Sequence, residues 1–327
     1  MNNKQWIGFV LASLFSILGI AYLWNQAGQF SFFDLQPYWI LFAFFLFILM
    51  WFCDATALYF ILRSNEQKIS IVLLFRLTLS AFFFGAITPF QAGMIPALTG
   101  FLSKHNISVE IGLPSILLKS TINGVIRSII SIFLAIYMKD VFSGQVTFIL
   151  FSYGGAVLLG YILLLNQSSL ANQIRNLLSK FFYWVGRLVP RWKNSMNNVG
   201  DSFLSFPLTM KPLLKKKSWI IPTCFFILMF WSILFTLPYP IFRSLHLEAP
   251  FIDLAMLQAA YYMFQSFLPS PGGSGIAEVG LGYVYSMFIG GSSPVFVFLL
   301  RLFTFYLPLA FGGIFLFGKS SFSTKIK

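Results

Sequence analysis

Six ionisable side chains, Asp54, Arg76, Lys119, Arg127, Glu278 and Arg301, stand inside long apolar runs of the chain. At a bilayer centre each costs about 2.5–3.5 kcal/mol on insertion scales, so each must face protein or water. Lys119, Asn123 and Arg127 recur every four residues, which sets all three on one face of a helix. Four cations against two acids leave the interior net positive, and such an interior suits an anion. Arginine's planar fork fits phosphate oxygens, and the phosphate nearest to a membrane protein is that of a lipid. The candidate substrate-binding residues are therefore Arg127, Arg301, Glu278, Lys119, Asn123 and Arg76. Glu278 is expected within reach of Arg127 or Arg301. Plainer readings stand beside these: Lys119 snorkels to the interface, Arg127 pairs with a structural acid, and Asp54 pairs with Arg63 or Arg76.

Residues for enzymatic chemistry do not assemble. Cys53 and Cys224 lie in apolar runs and offer neither a disulfide framework nor metal-ligand spacing. His105 and His246 stand singly among loop-like residues. Gly272-Gly273-Ser274-Gly275 formally matches the Gly-x-Ser-Gly of intramembrane serine proteases. That chemistry needs a histidine base within hydrogen-bond reach, and neither histidine falls in an apolar run. A glycosyltransferase using polyprenyl donors needs acids in an external loop, where Asp34 stands alone and Glu248 and Asp253 are a distant pair. No Walker phosphate loop occurs. The expectation is a protein that is not an enzyme and carries no cofactor or metal.

These residues need helices to position them. The chain of 327 residues is 58% hydrophobic and 9% charged, with mean hydropathy +0.81. It cannot cover itself with a solvated surface, so lipid must be its solvent. Apolar runs long enough to span, about 20 residues, fall at 6–24, 38–62, 112–138, 145–165, 218–242 and 294–318. The first also resembles a secretory signal, but it is long for one and lacks a small-x-small cleavage site. A retained membrane helix is the expectation. Two further apolar regions, 69–103 and 251–290, are broken by proline and glycine and cannot be straight helices. Their candidate turn residues are Pro89, Gln91, Gly93 and Pro96, and Pro269, Pro271, Gly272, Gly273, Ser274 and Gly275.

Charge orients the runs. Residues 166–217 carry nine Lys and Arg against one acid, Asp201. That stretch, Lys4, the turn from Arg63 to Lys68 and the tail from Lys319 to Lys327 are expected in the cytoplasm, and the 25–36 loop outside. The placements agree only if each broken region enters and leaves on one side. The expected fold is thus an all-α integral membrane protein with six full transmembrane helices and two re-entrant broken hairpins in an inverted repeat. The alternative for each broken region is two ordinary thin helices or a kinked one. The single membrane domain, 1–327, divides into a first half, 1–165, a basic cytoplasmic connector, 166–217, and a second half, 218–327. Short interrupted segments in matching halves point to a transporter site. The symmetry is one of layout and not of residue identity. In the connector, Ile174, Leu177, Leu178, Phe181, Val185 and Leu188 follow helical spacing, flanked by Arg175, Lys180 and Arg187. A basic amphipathic helix on the inner leaflet fits, as does a helix packed on the bundle.

The run from Pro269 to Glu278 resembles the Pro-x-Pro-Gly-Gly-x-Gly-x-x-Glu signature of the lysylphosphatidylglycerol synthase transmembrane region, also called the flippase-like domain family. Length, helix layout and the earlier break from Thr88 to Pro96 extend the likeness over nearly the whole chain. That family commonly reads Gly-Gly-Glu-Pro at the early break, where this chain has Gly93-Met94-Ile95-Pro96. Its acid is replaced by Ile95, and Lys119 stands where an acid–arginine pattern is often seen. In multidomain relatives the membrane part moves an aminoacylated phospholipid while a soluble domain transfers the amino acid. Only residues 319–327 follow the last run, so a stand-alone member lacking the synthase domain is expected. The resemblance implies a bacterial inner-membrane flippase for an anionic or phosphate-bearing lipid, aminoacylated or glycosylated, with both termini cytoplasmic. The alternatives are an intramembrane enzyme acting on a lipid head group and an accessory subunit of a lipid synthase. Expected partners are anionic membrane lipids and a lipid-synthesis or glycosyltransferase protein. The +13 charge reads as inside-positive topology and attraction to anionic lipid, not as nucleic-acid binding.

Overall fold

The computed structural model describes residues 35–88, 91, 93–137, 144–165, 168–188, 197, 201, 204, 208, 217–265, 275–289 and 294–317. The run at 6–24, most of the 25–36 loop and the basic tail lie outside them. Every element among the described residues is helical. They are α1 (Pro37–Ser64), α2 (Ile71–Ala86), α3 (Met94–Lys104), α4 (Val109–Tyr137), α5 (Gly144–Leu165), α6 (Ser169–Leu188), α7 (Ile220–Thr236), α8 (Pro238–Ser244), α9 (Phe251–Gln265), α10 (Ile276–Ile289), α11 (Pro294–Arg301) and α12 (Leu307–Phe317). Residues Leu302–Tyr306 form a π-helical turn that joins α11 to α12 in one rod. Four stretches are long and apolar enough to cross a membrane: Pro37–Ser64, Val109–Tyr137, Ile220–Ser244 and Pro294–Phe317. The run expected at 145–165 is the 22-residue α5. On α1 the exposed face, with Leu41, Phe45 and Phe52, is as apolar as the buried one with Phe47, Met50 and Trp51. A helix apolar all round requires lipid or protein on every side.

Both broken regions fold as antiparallel helix pairs. In the first, α2 stops at Ala86 and α3 starts at Met94. Leu74 and Leu77 near the start of α2 share a buried cluster with Leu98, Phe101 and Leu102 near the end of α3. The turn is shaped by Thr88, whose hydroxyl donates to Phe84 O (2.9 Å) and accepts from Gly93 N–H (2.9 Å). Gln91 sits at φ 54° there, a conformation few non-glycine residues adopt. Gly93 is needed for closeness: a Cβ would lie 2.7 Å from Phe84 O. In the second region, Tyr285 donates to Leu254 O (3.2 Å) and Tyr261 to Ala277 O (3.3 Å), tying α10 back along α9. With 16, 11, 15 and 14 residues, the four arms are all shorter than a bilayer crossing.

Residue identity between the halves is present, contrary to the layout-only expectation. Trp51, Tyr59, Ile61, Arg63, Ser64, Leu74 and Leu77 each find the same residue 180 positions later: Trp231, Tyr239, Ile241, Arg243, Ser244, Leu254 and Leu257. Pro89 and Gly93 continue the series to Pro269 and Gly273. Beyond the turn the register moves by two, so that Leu117-Leu118-Lys119 answers Leu299-Leu300-Arg301. Local geometry repeats with it. α1 ends with Gln67 N–H bonded to Leu62 O (3.1 Å) around Glu66 at φ 62°. α8 ends with Leu247 N–H bonded to Phe242 O (3.0 Å) around His246 at φ 57°. Ser64 and Ser244 each donate back to the isoleucine carbonyl three residues earlier. These are two copies of one left-handed helix stop. The equivalent helices α1 and α7–α8 pack side by side and run oppositely. Gln36, at the start of α1, donates to Ser244 O (3.0 Å), while Phe60 near its end stacks on Phe226 of α7. Likewise α2 packs on α12 and α4 on α9, the same cross-contact in each half.

The connector helix α6 forms as expected, but its faces differ from the expected ones. Arg175, expected on the solvated flank, is buried with Ala171 and Ser179, and it donates to Asn172. Leu170, Leu177 and Trp184 form an exposed stripe, while Lys180 and Arg187 remain exposed. Tyr183 donates to Asp201 (2.5 Å), and that carboxylate holds the phenol above its usual range.

Candidate functional site

The intramembrane charges resolve into two ion pairs and two cations on aromatic faces. Lys119 on α4 meets Asp54 on α1, Nζ to Oδ1 2.5 Å, with both side chains largely shielded. Asp54 therefore pairs with neither Arg63 nor Arg76. Arg63 lies nine residues further along the same helix, about 13 Å away, whereas α4 crosses α1 beside the acid. Asp54 Oδ2 is buried without a hydrogen-bond partner.

The face carrying Lys119, Asn123 and Arg127 meets three different helices. Asn123 Oδ1 accepts from Trp231 Nε1 of α7 (2.7 Å), a positioning contact between spans. Arg127 is half-buried with its guanidinium 5.7 Å from the Tyr153 ring centre on α5. Its Nε is buried and has no hydrogen-bond partner. Arg76 on α2 lies 5.5 Å from the ring centre of Phe315 on α12. For Arg127 a cation–π contact of this kind stabilises the guanidinium by about 0.5–2 kcal/mol and leaves its Nε open. Beyond Arg127, α4 and α5 enclose an open apolar recess of about 420 Å³ lined by Ala135, Ile136, Gly144, Thr147, Phe148 and Phe151.

The most enclosed charges among the described residues are Glu278 and Arg301. Arg301 Nε donates to Glu278 Oε1 at 2.9 Å, and the two side chains are 3% and 0% exposed. Of the two cations expected near Glu278, Arg301 takes it. Glu278 opens α10 and caps it, its Oε2 accepting from Gly275 N–H (2.6 Å), where Gly275 holds φ 86°. This is half of a capping box, and a carboxylate at a helix start is also favoured by the peptide dipoles. Tyr306 O–H reaches the same Oε1 at 3.5 Å, and the Phe305 ring lies 4.3 Å from the guanidinium. The π turn starts right after Arg301, and the Phe305 and Tyr306 rings within it lie 4.3 and 6.0 Å from that guanidinium. Such turns are rare and concentrate at functional sites.

Of the expected turn residues, Gln91, Gly93, Pro96 and Gly275 are described, and they sit at the helix breaks. Pro89, Pro269, Pro271, Gly272, Gly273 and Ser274 lie outside the described residues. Pro96 is exposed on the first turn of α3. Sequence reasoning missed the π turn, Tyr306, and two buried polar residues at matching places, Thr78 and Gln258. The signal for the last two was the repeat at 180 residues. Among the described residues no three His, Cys, Asp or Glu come close enough to hold a metal.

The sequence comparisons bear on this arrangement. The family described as the lysylphosphatidylglycerol synthase transmembrane region matches residues 5–312. The chain is 26% identical over 285 residues to a UPF0104 membrane protein of Archaeoglobus fulgidus, covering 83% of this chain and 84% of that protein. No solved structure matches. A match over nearly the whole length, on a helical bundle with several membrane-length apolar helices, places this chain in the lysylphosphatidylglycerol synthase transmembrane-region family.

Proposed function

We propose that the protein is a plasma-membrane flippase that moves an anionic, phosphate-bearing lipid between leaflets. The observation that carries the reading is the Glu278–Arg301 pair, sealed inside the bundle at the start of a short helix and beside a π turn. A buried ion pair is poor value for stability. It suits a site where a lipid phosphate replaces the carboxylate on Arg301. Lys119 is the repeat counterpart of Arg301 and is likewise held by one acid, so each half offers one neutralised cation. Arg127 adds a positive charge that no carboxylate among the described residues balances. In this reading α2–α3 and α9–α10 are re-entrant hairpins entering from opposite faces, with both termini cytoplasmic. Alternating access then proceeds by exchange between two halves of like structure.

The test is reconstitution into phosphatidylcholine vesicles containing fluorescent phosphatidylglycerol. Reduction of the label by an impermeant quencher reads transbilayer movement, and lipid extraction reads chemical change. Movement without chemical change is the expected result. Head-group conversion would make the protein an enzyme, and neither outcome would leave an accessory role.

A further inference from the structure

Thr78 on α2 and Gln258 on α9 are repeat counterparts, 180 residues apart, and identical leucines (Leu74 and Leu254, Leu77 and Leu257) flank them. Both side chains are 0% exposed. Thr78 Oγ1 and Gln258 Nε2 are each buried with no hydrogen-bond partner. Tyr285 O–H, which also reaches Leu254 O, donates to Gln258 Oε1 (2.9 Å), and in this amide orientation the Nε2 N–H is the open group among the described residues. Helical threonines can bond the carbonyl four residues back, as Thr56, Thr99, Thr121 and Thr304 do here, and Thr78 does not.

A buried polar atom without a partner destabilises a fold, and buried polar atoms are nearly always satisfied. One such atom can be an accident of packing. Two at equivalent positions, on the first arm of each helix pair, mark a feature that both halves keep for use in another state. Apolar residues of the same shape would serve this packed state better at both places.

We infer that Thr78 and Gln258 are a matched pair of hydrogen-bond donors for the phosphoester oxygens of the transported lipid, one in each half of the bundle. This rests on the flippase reading and deepens it. The cations supply charge, and these two neutral donors supply recognition of oxygen acceptors on the head group. Each is exposed to the lipid when the arms of its own half part.

The test uses Thr78→Val, Gln258→Leu and Thr78→Ser in full-length protein reconstituted with fluorescent phosphatidylglycerol, alongside thermal melting in detergent. Gln258→Leu strands no donor, because Tyr285 O–H retains Leu254 O. Thr78→Val and Gln258→Leu are expected to melt at or above the wild-type temperature yet move lipid about three- to tenfold more slowly, the loss of one hydrogen bond in transit. Thr78→Ser, which keeps the hydroxyl, should retain the wild-type rate. Excess inorganic phosphate should leave all rates unchanged. Wild-type rates in both apolar variants overturn this inference while leaving the flippase reading intact. A Thr78→Ser rate as slow as that of Thr78→Val also overturns it. Competition by inorganic phosphate would give the donors to a soluble oxyanion and overturn the lipid assignment. A wild-type protein that moves no phosphatidylglycerol overturns both.

Discussion

Replacing Arg301 separates a structural pair from a working one. Arg301→Met alone leaves the Glu278 carboxylate buried at 0% exposure without its cation. Removing one partner of a buried pair typically costs about 3–5 kcal/mol, because the remaining charge is uncompensated. Glu278→Gln combined with Arg301→Met removes both charges. The glutamine oxygen still accepts from Gly275 N–H, so the α10 cap, worth about 1 kcal/mol, is kept. Methionine refills the space of the arginine stem. Replacing both members of a buried pair is commonly neutral or stabilising by ~1–4 kcal/mol. The single variant should therefore melt well below wild type and the double variant close to it. Neither should move lipid. Fluorescence melting in detergent gives the first quantity and the vesicle assay the second. A double variant that is both stable and fully active would show the pair to be scaffolding, and the phosphate-exchange mechanism would fall.

Other predictions follow from single contacts. Arg127→Ala should cost little stability, the ~0.5–2 kcal/mol of one cation–π contact, while abolishing lipid movement; melting and vesicle rates measured together decide this. Gly312→Ala should lose most folded protein, since its Cβ would lie 2.2 Å from Leu79 O, whereas Gly313→Ala meets only ordinary contacts at 3.5 Å. Size-exclusion yield of the two variants is the check, and equal yields would refute the packing of α12 on α2. Cysteines introduced at Lys104 and Arg243 should label from opposite sides of the membrane. Labelling from one side would end the opposed-hairpin arrangement.

Membrane location and the positions of the described long apolar helices were readable because twenty-residue apolar runs have no other solvent than lipid. The breaks were readable because proline and glycine act locally: the Thr88–Gly93 turn and the Gly275 start of α10 stand where the sequence puts them. The partners of the charges were not readable. Asp54 could be assigned to its own helix or the next, and only the crossing of α4 on α1 gives it Lys119. Glu278 had two candidate cations for the same reason. The π turn left no trace in local sequence, since Leu302–Tyr306 is as apolar as its surroundings. On α6, burial of Arg175 depends on what the helix packs against, which its own periodicity does not encode. The repeat was legible but diluted. Most matched positions hold different apolar residues, so Arg63-Ser64 against Arg243-Ser244 stands out only once the helix stops are aligned.

The central claim, that intramembrane cations carry a lipid phosphate across the bilayer, is tested most directly by one rate. That rate is transbilayer movement of fluorescent phosphatidylglycerol in vesicles holding wild-type, Arg127→Ala, or the paired Glu278→Gln and Arg301→Met protein at equal folded amounts. The account predicts movement well above protein-free vesicles for wild type and the protein-free rate for both variants. Wild-type rates in the two variants would contradict it.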